Sequence, residues 1–161
     1  MVVISDTTAI SNLYKIGKLN YLKLLFREVI IPNAVYDELL GIEQSGYDIS
    51  EIKNAEWLIK AKVNDSQLLS KLHLDLDTGE SEAIALAQER KCDFLIIDEK
   101  KGRKIAEALG IKTIGIIGIL IQLKREKIIH RVKPILDDLR ENAGFWISEK
   151  LYHFVLESEK E

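Results

Sequence analysis

Apolar residues run through the chain in two alternating rhythms. Short runs of aliphatic and β-branched residues, VVIS at 2–5, EVIIP at 28–32, DFLIID at 93–98 and IKTIGII at 111–117, have the length and composition of strands, and WLIKAKV at 57–63 reads as an edge strand. Helical periods separate them. TTAISNLYKIG places Ile10, Leu13 and Tyr14 on one face, with Gly17 as a stop. LNYLKLLF at 19–26 has a second helical period, and PNAVYDELLG seats Pro32 in a first turn and Gly41 at the end. NDSQLLSKL predicts a short helix capped by Asp65 or Ser66, and DTGESEAIALAQERK a stronger one opened by Asp77 or Thr78. KKGRKIAEALG closes on Gly110; residues 117–129, 132–142 and SEKLYHFVLES at 148–158 complete the helical set. Residues 42–56, with Gly46, Asp48 and Ser50, read as containing a loop. Strands alternating with helices predict an α/β domain around a mostly parallel, twisted sheet with right-handed connections.

Composition narrows the class. The 161 residues are 47% apolar, enough for one core, and contain neither repeats nor a linker. The formal net charge is −3, but it is unevenly spread. Residues 1–99 carry 10 Lys/Arg against 17 Asp/Glu, residues 100–133 carry 10 against 2, and residues 134–161 carry 3 against 7. That asymmetry suits a polyanionic partner held near an acidic site, although solvated helix faces would produce it too. Cys92 is the sole cysteine, so no internal disulfide can form, and it has no identifiable histidine partner for nucleophilic work. No apolar run reaches the length of a membrane span, and no basic-then-apolar leader opens the chain. A cytoplasmic, reducing setting is the expectation. His73, His130 and His153 stand apart with no zinc-type spacing, and there is no phosphate-binding glycine loop.

The acids carry the chemistry. In a parallel sheet, function collects beyond the C-terminal ends of the strands. Asp6 follows VVIS, Asp98 follows FLII, Glu38 lies in the helix after VIIP, and Glu80 or Glu82 comes from DTGESEA. Each has a plain structural role available. Asp6 and Asp98 could cap the helices that follow them, Glu38 could face solvent, and Glu80 and Glu82 suit a helix N-terminus. Brought together, they repel: two unit charges about 4 Å apart cost roughly 4 kcal/mol at an effective dielectric near 20. A divalent cation removes that cost, and hard Mg²⁺ or Mn²⁺ prefers such oxygen donors. Such a centre can hydrolyse a phosphodiester.

VVISDTTAISNL, VIIPNAVYDELL, LDTGESEAIALA and FLIIDEKKGRKIAEALGIKTIGIIGIL, in that order, resemble the PIN domain, and more narrowly its prokaryotic VapC-like branch with a GExEAI-like third motif. The resemblance covers residues 1–130 and implies a three-layer α/β nuclease domain there, leaving 131–161 as a C-terminal helical extension packed on it. It implies a Mg²⁺- or Mn²⁺-dependent endoribonuclease acting on single-stranded RNA, the toxin of a type II toxin–antitoxin pair. Asp6, Glu38, Glu80 or Glu82, and Asp98 would be the metal-binding catalytic acids, with Thr7 or Thr8 at the nearby hydroxyl position and Asn12 supporting them from behind. VapC-like third and fourth acids stand about eighteen positions apart, the separation of Glu80 from Asp98, which favours Glu80 and keeps Glu82 open. Lys100, Lys101, Arg103 and Lys104 would hold RNA phosphates, Arg103 having the alternative of pairing with an internal carboxylate. A homodimer and a small antitoxin are the implied partners. Two other readings remain: a non-catalytic RNA-binding module on the same fold, and a haloacid-dehalogenase-like phosphohydrolase. The latter requires a second Asp where this chain has Thr8.

Overall fold

The apolar runs become strands where both faces can be covered. In the computed structural model, which describes residues 1–161, β1 (Val3–Ser5), β2 (Val29–Pro32), β3 (Leu58–Ala61), β4 (Phe94–Ile96) and β5 (Thr113–Ile114) form one parallel sheet in the order β3-β2-β1-β4-β5. Ile4 stands opposite Ile30 on one side and Leu95 on the other. The chain builds outward from β1 to β3, then returns to lay β4 along the free edge of β1. The direction of winding therefore reverses between β1 and β4, which opens a crevice beyond their C-terminal ends.

Ten helices cover the sheet: α1 (Thr7–Lys15), α2 (Asn20–Phe26), α3 (Asn33–Leu40), α4 (Ser50–Lys53), α5 (Ser66–Leu72), α6 (Thr78–Arg90), α7 (Lys100–Ala108), α8 (Ile116–Arg125), α9 (Lys133–Asn142) and α10 (Glu149–Ser158). Alternation along the strands divides the core into two layers. Val3, Ile31 and Ile96 pack with α1, α2, α3, α8, α9 and α10, while Ile4, Leu95 and Ile97 pack with α5, α6 and α7. The result is a three-layer α/β domain. Residues 131–161 belong to its core: Leu136, Leu139, Val155 and Leu156 are buried, each side chain contributing about 1.5–3 kcal/mol. No helix is long and apolar enough to cross a membrane.

Three boundaries depart from the sequence pattern. Residues 42–56 are not simply a loop. Gly41–Ser45 form a 3₁₀ turn, and α4 follows because Asp48 accepts from the Ser50 amide at 2.9 Å while Ile49 and Ile52 insert into the core. IKTIGII holds only a two-residue strand, since α8 already begins at Ile116. That helix ends at Arg125, short of 129, with Lys127 at φ 60° beyond it.

Candidate active site

Asp6 is fixed at the mouth of the crevice by backbone bonds. Its amide donates to the Ile96 carbonyl at 3.0 Å, tying the end of β1 to β4. Its side chain caps α1, Oδ1 accepting from the Thr8 amide at 3.2 Å. The residue is 1% exposed, and its other oxygen, Oδ2, is buried without a partner. Such an atom is costly in a folded interior and is an oxygen donor suited to a cation. Burial raises the Asp6 carboxyl well above its ordinary pKa, and the Asp98 charge adds to this; the Thr8 amide opposes it, and Glu80 and Asp77 push further upward.

Asp98 lies just past β4. It does not cap α7, as its position in sequence allows: Glu99 does so, accepting from the Gly102 amide at 2.7 Å. Asp98 reaches instead to the start of α8, where the Ile116 amide donates to Oδ1 and Oδ2 at 3.0 and 3.2 Å. Gly115, at the cap position of α8, has no side chain to do this. Burial raises the Asp98 carboxyl, while the Ile116 amide and the Arg103 charge pull it down. Asp6 and Asp98 thus share one electrostatic environment from two strands.

The two glutamates of α6 diverge. Glu82 turns to α3, where Oε2 accepts from the Ala34 amide at 2.8 Å. Pro32, the cap residue of α3, has no side chain able to accept, so Glu82 caps that helix from across the fold. Glu80 stays with the acids. Its carboxyl is raised by burial, then by Asp77 and Glu99, lowered by a backbone bond at Asp77, and raised again by Glu38. Asp77 and Glu80 also occupy capping-box positions, with the Glu80 amide donating to Asp77 Oδ1 at 2.8 Å. Glu38 is solvent-accessible on α3 and accepts from the Thr7 hydroxyl. Its carboxylate lies against Gly79, where an added Cβ would come within 2.5 Å of Oε1. Thr8 serves through its amide, and Asn12 is buried farther along α1.

Sequence reasoning missed Gly79 and Gly115 as seats for carboxylates; a Cβ at Gly115 would stand 2.6 Å from Asp98 Oδ1. It also gave no role to Glu99, whose charge bears on Glu80. The basic turn of α7 lies beside Asp98. Lys100, Arg103 and Lys104 line a depression of about 280 Å³ together with Asp98 and Glu107, while Lys101 turns away to Asp75 at 3.6 Å. Cys92 is half-buried, and burial pushes its thiol up to about 11, so it offers no nucleophile.

No three of these acids draw together into a ready-made metal-ligand group. The donor set nevertheless fits a hard divalent cation held partly through water. It is all carboxylate, it includes the orphaned Asp6 Oδ2, and the Asp98 and Glu80 charges raise the Asp6 carboxyl as the Glu38 charge raises that of Glu80.

Comparison with known proteins agrees with this architecture. A PilT N-terminus domain protein from the hyperthermophilic archaeon Sulfolobus solfataricus P2 superposes with a TM-score of 0.51 at 20% identity, over 75% of this chain and 92% of that one. No curated protein matches the chain. A family model described as a PIN domain matches residues 2–161, and so runs through α9 and α10 as well as the sheet. A match of that extent makes the chain a member of the PIN domain family, generally nucleases that use divalent metals.

Proposed function

We propose that the protein is a Mg²⁺- or Mn²⁺-dependent endoribonuclease that hydrolyses phosphodiester bonds in single-stranded RNA. The observation carrying this reading is Asp6: a buried carboxylate with one oxygen unpartnered, beside Asp98 at the reversal point of the sheet. A bound divalent cation supplies Lewis-acid charge for the phosphoryl oxygens and increases the acidity of water. Asp6 and Asp98 would hold it from the strands, and Glu38 and Glu80 from the helices. The Thr7 hydroxyl and the Ile116 amide fix the orientations of Glu38 and Asp98. Lys100, Arg103 and Lys104 would grip the phosphates, so that the scissile bond lies over the acids. Hydrolysis joins a water oxygen to phosphorus and breaks the bond to the leaving ribose oxygen, which takes up a proton. The toxin role, with a small antitoxin as partner and the cytoplasm as its place of action, rests on the VapC-like motifs.

The test is cleavage of single-stranded RNA with Mg²⁺ or Mn²⁺, with and without EDTA. Activity should vanish with EDTA and in the Asp6→Asn/Asp98→Asn double variant; persistence in either case refutes the mechanism. One observation favours a second reading, a non-catalytic RNA-binding module: the acids do not form a preassembled ligand group. RNA retention without cleavage in either metal would select it.

A further inference from the structure

The helix α10 turns Tyr152, Val155 and Leu156 inward. Its other face also carries large apolar side chains: Phe154 is 65% and Leu151 43% exposed, and Trp146, in the segment before the helix, is 82% exposed. Along this outer side, Leu151 and Phe154 join Lys150, His153 and Glu157 around a depression of about 450 Å³. Large apolar side chains exposed side by side, as Leu151 and Phe154 are, mark a contact surface.

The charged residues select the occupant. Lys150 and Glu157 are seven residues apart, two helical turns along the same face, and they bracket the apolar middle. Neither takes part in an ion pair within the chain, whereas Glu149 is engaged by Arg140 at 2.5 Å and His153 at 3.5 Å. A face with a cation at one end, an anion at the other and aromatic surface between them is complementary to itself after a two-fold rotation. When two such helices lie antiparallel, Lys150 of each copy meets Glu157 of the other, and His153 and Phe154 meet near the axis. We propose that the outer face of α10 is the surface through which two copies of this chain pair.

The proposal is independent of the nuclease reading. Sedimentation or light scattering should find a dimer. Lys150→Glu sets two glutamates together at each end, and Glu157→Lys sets two lysines together. Each reversal should weaken pairing by about tenfold or more. The double variant Lys150→Glu/Glu157→Lys should pair again, and mixing the two single variants should yield a heterodimer. Misfolding cannot produce that recovery. A wild-type chain monomeric to its solubility limit, whether alone or bound to a different protein through this face, overturns the proposal, as does a dimer indifferent to the reversals.

Discussion

At the scale of single residues, the site holds charges the fold would shed if stability were its sole requirement. Asparagine is as good a helix cap as aspartate, so Asp6→Asn keeps an acceptor for the Thr8 amide and removes the buried charge. A carboxyl whose pKa rises on folding contributes stability that is complete below its unfolded value and lost as pH climbs through its folded value. Wild-type protein in EDTA should therefore lose stability relative to Asp6→Asn as pH rises from about 4, near the ordinary carboxyl value of 3.8, towards neutrality. At pH 7, Asp6→Asn should be the more stable by about 1 kcal/mol or more, measured by urea unfolding, and should be inactive. The reverse order of stability would mean that Asp6 is compensated in a way its unpartnered oxygen does not reveal. Gly79 permits a second test. A methyl group there strikes the end of a flexible, exposed glutamate, so Gly79→Ala should fold with its unfolding midpoint unchanged or slightly raised. Displacement of Glu38 should lower cleavage by about tenfold or more, because small misplacements at a reacting centre are expensive. Gly115→Ala meets a half-buried carboxylate held by the Ile116 amide instead, and should lose roughly 1–3 kcal/mol as well as activity.

At the scale of elements, local signals were legible and long-range ones were not. Strands β1, β2 and β4 follow from their continuous apolar runs, and the caps Asp65 and Asp77 from bonds only three residues long. The cap of α3 joins residues 48 apart, and that of α8 residues 18 apart, so neither periodicity nor capping rules could find them. The same limit explains why the sequence favoured Glu80 yet kept Glu82 open. They lie two positions apart on one helix and so face different neighbours, but which neighbour each meets is set by where α3 packs against α6. Glu82→Ala should leave the first turn of α3 short of an acceptor, at a cost of about 1 kcal/mol in urea unfolding, and should reduce cleavage less than Glu80→Ala does. If instead Glu82→Ala is the inactive variant and remains fully stable, the assignments of the two residues are reversed.

For the whole molecule, folding redistributes the charge pattern of the chain. The basic stretch 100–133 divides in two. Its later residues are met by the acidic tail: Lys124 reaches Glu161 at 2.8 Å, Arg131 reaches it at 3.6 Å, and Lys133 pairs with Asp137 at 2.7 Å. Glu161 also accepts from the Val132 and Lys133 amides at the start of α9. Burial works against its charge, yet Lys124 and these amides hold its carboxyl below the ordinary value. Within 100–104, Lys101 is drawn to Asp75, and Lys100, Arg103 and Lys104 remain beside Asp98 as the cations best placed to meet a polyanion. At a net charge of −3, attraction of an RNA would have to come from such a local patch. Each phosphate contact on a single strand contributes about 0.7 to the slope of log affinity against log salt. In an inactive Asp6→Asn background, Lys100→Ala, Arg103→Ala and Lys104→Ala should each weaken binding of a labelled single-stranded RNA and flatten that slope by about 0.7 in anisotropy titrations. Lys124→Ala should leave affinity and slope unchanged while lowering the unfolding midpoint, since its partner is the tail. Equal losses of slope at Lys124 and at the α7 positions would mean that RNA follows the basic stretch as it is written in the sequence, and the crevice beside Asp98 would no longer be the place where phosphates gather.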